Sequence, residues 1–264
     1  MIQRELRRPF SAFGSGAAIG TLGGLIGLGG AEFRLPVLIG LFQFAALEAV
    51  ILNKAMSLVV VASALPFRAA TVPFAEIAAH WPVIVNLLAG SLLGAWIGAG
   101  WATRLKAETL HKVIAMLLLG IAVVLLLGHD PSSAGAALAS GGLQIALGIV
   151  AGFCIGVVAS LLGVAGGELL IPTLILLFGA DIKLAGSLSL AVSLPTMLVA
   201  FTRYSRDQSF IVLGKNKGLV AIMAAGSVVG SFIGGRLLGI VPSAWLLPTL
   251  AAILVVSAIK VWRQ

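Results

Sequence analysis

Gly27–Pro36 reads GLGGAEFRLP, and Gly163–Pro172 reads GVAGGELLIP. Both stretches are glycine-rich, both carry one glutamate, and both end on a proline within apolar sequence. The two prolines lie 136 residues apart, and the same offset pairs Gly20 with Gly156, Leu25 with Leu161, Gly30 with Gly166, Glu32 with Glu168, Leu38 with Leu174 and Phe42 with Phe178. It persists downstream, where Gly90, Ser91, Gly94, Ile97 and Gly98 match Gly226, Ser227, Gly230, Ile233 and Gly234. A constant offset sustained over about half a chain marks an internal duplication.

Glycine tolerates backbone angles closed to other residues, and proline fixes φ and lacks an N–H. A helix entering the first stretch is therefore expected to break near Gly27–Gly30 and to restart near Pro36, with the same event in the second copy. Composition says where such breaks lie. The chain has 264 residues, 60% hydrophobic and 10% charged, with a mean hydropathy of +1.14. A soluble domain carries roughly a quarter charged residues. The expected fold is an all-α polytopic membrane protein. Short alternating segments of the kind that build an outer-membrane barrel do not occur. In lipid, a broken helix survives only where protein or a wet cavity surrounds it, and paired broken helices point to a transporter's central site.

The apolar blocks run in order: Phe10–Leu28, then short Leu35–Ala46, Ala49–Phe67, Trp81–Ala102 and Leu110–Leu127. The polar, small-residue run His129–Gly142 divides the halves, giving a first repeat over 1–128, a linker over 129–142 and a second repeat over 143–264. The second half repeats the plan with Leu143–Ala165, short Leu169–Gly179, Leu184–Phe201, Gly218–Leu238 and Trp245–Trp262. A dozen residues are too few to cross ~30 Å of hydrocarbon. Each repeat therefore reads as a broken or re-entrant helical hairpin followed by three transmembrane helices.

The net charge of +8 collects at segment ends, so it reads as membrane orientation and not as a nucleic-acid surface. The loop carrying Arg203, Arg206, Lys215 and Lys217 is strongly basic, while its first-repeat counterpart has Arg68 and Glu76. Conversely, Arg104, Lys106 and Lys112 crowd a loop whose counterpart, Ile240–Pro248, is uncharged. Equivalent loops of opposite basicity belong on opposite sides, which makes the two repeats inverted and places the N-terminus in the cytoplasm. The basic start of the chain resembles a signal peptide, but the apolar run after it belongs to the first repeat and is expected to be retained.

The doubled Gly-rich–Pro motif resembles the TauE/SafE sulfite exporter family of bacterial inner-membrane transporters, through Gly27, Gly29, Gly30 and Pro36 in one copy and Gly163, Gly166, Gly167 and Pro172 in the other. The resemblance covers nearly the whole chain. Ala31 and Ala165 depart from the family's usual glycine triplet. It implies movement of small sulfur-containing or carboxylate anions and a location in the bacterial inner membrane.

A restarting half-helix presents unpaired N–H groups and the positive end of its dipole, which together favour an anion. Two such starts could clasp one anion, through the backbone of Gly29, Gly30 and Ala31 and of Gly166 and Gly167. The competing reading is that these glycines serve close helix packing. Glu32 and Glu168 are equivalent; each is either a proton carrier with a raised pKa or a carboxylate stabilising its helix start. Lys54 either attracts the anion or snorkels to the interface. Arg34 is a counter-ion for Glu32 or a substrate contact. Asn53 with its equivalent Ser189, and Ser57 with its equivalent Ser193, either line the path or hold helices together.

Cys154 is the single cysteine, which excludes an intrachain disulfide, and its apolar surroundings suggest a buried thiol. His80, His111 and His129 sit at segment ends without metal-ligand spacing. No P-loop, Ser/His/Asp or HExxH pattern occurs. The expectation is a non-enzymatic secondary transporter without metal or cofactor, using a small anion as substrate and lipid as surroundings, with assembly of copies left open. The alternatives are a passive anion channel and a non-transporting membrane subunit or enzyme.

Overall fold

The computed structural model describes residues 2–26, 30–69, 72–106 and 139–237 as continuous runs, with scattered positions at 108–109, 112–116, 119–120, 123, 137, 255, 259 and 262. Nearly all described residues are helical, and no strand occurs among them. The expected segments Leu110–Leu127 and Trp245–Trp262, most of the 129–142 linker, His111 and His129 fall largely or wholly outside the described residues.

Helix α1 spans Ile2–Ile26, α2 Ala31–Gly40, α3 Ala46–Arg68, α4 Phe74–Ala79 and α5 Trp81–Ala102. The second half has α6 Gly141–Leu162, α7 Gly167–Phe178, α8 Ile182–Tyr204, short α9 Ile211–Lys215 and α10 Lys217–Leu237. The starts of α2, α3 and α5 recur at the starts of α7, α8 and α10 with the offset seen in the sequence. Five helices, α3, α5, α6, α8 and α10, are long and apolar enough to cross a membrane. This is a multi-pass helical membrane protein.

The breaks sit where glycine was expected to put them, but the restarts come earlier. The α2 helix begins at Ala31 after left-handed Gly30 (φ 66°), and α7 begins at Gly167 after left-handed Gly166 (φ 84°). Pro36 and Pro172 lie inside these helices and not at their first residues. Each is the sixth residue of its helix, so it costs only the one bond to the carbonyl four residues back. The left-handed glycine, not the proline, starts each half-helix.

Both half-helices fold back. A Cβ on Gly30 would meet the Ile19 carbonyl at 2.5 Å, which brings the start of α2 beside the body of α1. A Cβ on Gly166 would lie 3.1 Å from both Ala159 and Ile155, and Gln144 at the start of α6 donates to the Leu177 carbonyl at the end of α7 at 2.7 Å. So α7 returns along α6 as a re-entrant arm.

Small residues let specific helix pairs close on one another. In α1, Gly16, Gly20 and Gly24 meet Met223, Ser227 and Ser231 of α10 in that order, so the two helices run parallel. In α5, Gly90, Gly94 and Gly98 meet Ile149, Phe153 and Val157 of α6, also in parallel. Each helix that opens one repeat is thus sealed against the helix of the other repeat that follows its α3 or α8. Helix α8 runs parallel to α5, with Thr196 on Ser91 and Arg203 beside Gly100. Helix α10 runs parallel to α3, with Ser227 joined through Arg34 to Ser57, and Phe232 against Phe67 at 5.5 Å. The central pair, α3 and α8, is antiparallel. Arg68 at the end of α3 reaches Lys183 and Ser187 at the start of α8, while Val50 and Tyr204 both meet the end of α6.

One thiol departs from expectation. Cys154 is exposed on α6. An apolar run in a membrane helix faces lipid as readily as core, so hydrophobicity alone gives no inside.

Candidate functional site where the two breaks meet

The two interrupted helices come together at α3. Asn53 donates through Nδ2 to the Ala31 carbonyl at 2.9 Å and to the Leu162 carbonyl at 3.3 Å. One amide thus bridges the first residue of α2 and the last residue of α6. Lys54, its neighbour, donates through Nζ to the Ala159 carbonyl at 3.0 Å and the Val164 carbonyl at 2.7 Å. Val164 lies just past the end of α6, while the Ala159 carbonyl also accepts from the Val164 N–H at 2.9 Å. The second break is itself dry: Val164 and Ala165 are almost wholly buried, and left-handed Gly163 packs on the Val50 carbonyl.

Lys54 does not snorkel. Only 1% of it is exposed. Helix α3 starts at Ala46, three residues earlier than expected, which places Lys54 eight residues in, a depth of about 12 Å at 1.5 Å per residue. The ammonium finds carbonyls of the second repeat nearer than any interface.

Arg34 is the residue that sequence reasoning underrated. It is completely buried in α2, and its guanidinium donates to Asn53 Oδ1 at 3.3 Å, Ser57 Oγ at 3.1 Å and Ser227 Oγ at 3.1 Å. Ser227 comes from α10, so Arg34 ties α2, α3 and the far repeat together. A signal existed: an arginine placed two residues past a Glu and two before a Pro, inside apolar sequence, has few places to go but a polar centre. Its partner on α10 had none.

The remaining candidates divide. Gly30, Ala31, Gly166 and Gly167 are buried at the two helix starts, and Gly166, not Gly167, carries the left-handed backbone. Gly29 lies outside the described residues, as do the side chains of Glu32 and Glu168, and with them the pairing of Arg34 with Glu32. Ser189 is buried with its hydroxyl bonded back to the Gly186 carbonyl at 2.8 Å. Ser193 is buried and its Oγ has no partner among the described residues, whereas its equivalent Ser57 accepts from Arg34. The difference follows from residue type: the position equivalent to Arg34 is Leu170, and that equivalent to Lys54 is Leu190. Among the described residues, all the buried positive charge at the meeting point comes from the first repeat. Among the described residues Lys54 meets carbonyl oxygens and no carboxylate; the one ion pair there is exposed Lys112 with Glu108 at 2.8 Å. That pair holds the Glu108 carboxyl below its ordinary range, mainly through the Lys112 hydrogen bond.

Two broken helices thus converge on buried cations in a multi-pass helical protein, an arrangement found in membrane transporters. The family comparison carries this further. The model of the sulfite exporter TauE/SafE family matches residues 12–261, and the chain belongs to that family. No curated protein and no solved structure matches the chain significantly.

Proposed function

We propose that the protein is a secondary transporter that exports a small sulfur oxyanion, sulfite or an organosulfonate, across the bacterial inner membrane by alternating access around the meeting point of the two breaks. The observation that carries this reading is the Lys54 ammonium, buried at the second break and bonded, among the described residues, to carbonyl oxygens and to no carboxylate. A buried charge that is met only by carbonyl dipoles keeps a several-kcal/mol desolvation cost, which an arriving anion offsets. Arg34, with a planar set of donors suited to oxyanions, supports the same substrate class.

Inverted repeats belong to this proposal. Parallel pairing of α1 with α10 and of α10 with α3, set against antiparallel α3 and α8, supports opposite directions for equivalent helices. The same pairing gathers Arg104 and Lys106 after α5, Arg203 and Arg206 at the end of α8, and Lys215 and Lys217 before α10 at one end of the bundle. That end is the cytoplasmic one under the positive-inside rule, and the start of α1 lies there too. Glu32 and Glu168, in the first turns of the half-helices, are the proposed proton carriers.

Purified protein in liposomes tests the function. We expect sulfite to accumulate against its gradient when a pH gradient is imposed, and Arg34→Gln to abolish the flux. Flux that only runs down the sulfite gradient at every pH would mark a channel instead. Normal pH-dependent flux in Glu168→Gln would remove the proton-carrier role.

A further inference from the structure

A third buried cation lies away from the meeting point. Arg68 closes α3 with only 8% of its surface exposed. Its Nε donates to Ser187 Oγ at 3.2 Å and its Nη2 to the Lys183 carbonyl at 3.1 Å, both on α8. Its Nη1 is buried and has no partner among the described residues. The guanidinium closes on a bare stretch of α8: a Cβ on Gly186 would come within 2.6 Å of Nη2. A C-terminal arginine commonly caps its own helix. Here its bonds go across to the opposite helix instead, and Nη1 stays unused among the described residues.

The position of Arg68 gives this a direction. Lys54, Ser57, Val61, Leu65 and Arg68 follow one another at three- and four-residue steps, so they share one face of α3. Arg68 lies eleven residues beyond Ser57, about 16 Å along the helix. Between them Val61, Leu190, Met197 and Ala165 of the second break form a small apolar cluster separate from the main core. This seam thus reads, from the end remote from the basic helix ends inwards, as a buried guanidinium, an apolar plug and then the two central cations.

We propose that Arg68 is an additional oxyanion contact on the transport path and the latch of a gate at that end of the α3–α8 seam. The anion takes the guanidinium N–H groups now given to Ser187 and Lys183, and the release lets α3 and α8 part over the apolar plug. Arg68 is then the outermost of three cations along the seam, with Lys54 on the same face of α3 and Arg34 supplied by α2, and the present structure has this gate shut. The proposal rests on the transport reading.

Two measurements test it. In liposomes, Arg68→Gln should raise the half-saturating sulfite concentration about tenfold or more, as expected for one lost charge-assisted contact, with the maximal rate little changed. Arg68→Lys should recover part of that loss. On intact cells carrying Cys154→Ala and Leu190→Cys, a membrane-impermeant maleimide should label position 190, in the apolar plug, several-fold faster when Arg68→Gln is added or sulfite is supplied. An unchanged half-saturation in Arg68→Gln, with wild-type flux intact, overturns the anion contact. Labelling that ignores both Arg68→Gln and sulfite overturns the latch. Absence of wild-type sulfite flux strikes the transport reading and the anion contact together, while the labelling arm still decides whether Arg68 holds the seam.

Discussion

Lys54 shows how a single side chain can be placed correctly in sequence and misjudged in space. Counting along an apolar segment puts it near a boundary, where snorkelling is cheap. The fold adds a turn at the front of α3 and brings the end of α6 against it, so the nearest polar atoms are the Ala159 and Val164 carbonyls. No pattern within the first repeat announces that neighbour. Magnitudes separate structural and functional roles here. Lys54→Met deprives the Val164 carbonyl of a donor, at about 1–3 kcal/mol for an unsatisfied group, while the Ala159 carbonyl keeps the Val164 N–H. It also relieves the desolvation of a buried ammonium that meets no counter-charge among the described residues, which costs several kcal/mol. We therefore expect Lys54→Met to unfold in detergent at or above the wild-type temperature while sulfite flux is lost. A midpoint several degrees lower would identify Lys54 as a strut for the break.

At the level of elements, the doubled glycine–proline stretch made the two interruptions legible, because few other residues stop a helix in lipid. Which residue restarts the helix was less legible. Proline is at home in a first turn, so Pro36 looked like the restart, yet Gly30 and Gly166 hold the left-handed turns and each proline rides one turn and a half further on. The glycines of α5 serve contact instead. A Cβ on Gly94 would drive into the Phe153 carbonyl, and one on Gly14 of α1 meets nothing. Gly94→Ala should lower stability by about 1–3 kcal/mol through overpacking. Gly166→Ala should cost about 1–2 kcal/mol through its positive φ. Gly14→Ala should be neutral or slightly stabilising, since alanine is the better helix former. Thermal unfolding of the three variants in one detergent checks the order, and equal midpoints would deny both the contact and the backbone requirement.

For the whole molecule, the duplication and the uneven basic loops were readable, because repeated spacing and charge at helix ends survive in one dimension. Partner choice was not. Nothing along α1 says that Gly16, Gly20 and Gly24 face α10 and not α3; only the folded chain brings Met223, Ser227 and Ser231 to them. The pairing makes a topological prediction. Single cysteines near Arg104 and Arg206 should be shielded from an impermeant reagent outside intact cells, and cysteines near Glu76 and Asp181 should react. Reaction at Arg206 together with Glu76 would end the inverted arrangement.

The α1–α10 pair also sets the order in which the protein can be completed. Helix α1 leaves the ribosome well ahead of α10, and its glycine face has to wait for a segment made some two hundred residues later. Until then its close-packing surface can be met only by lipid, so neither half of the chain holds a finished interior by itself. A nascent chain stopped before α10 would be inserted in the membrane yet unassembled, which gives membrane quality control a long interval in which to recognise it.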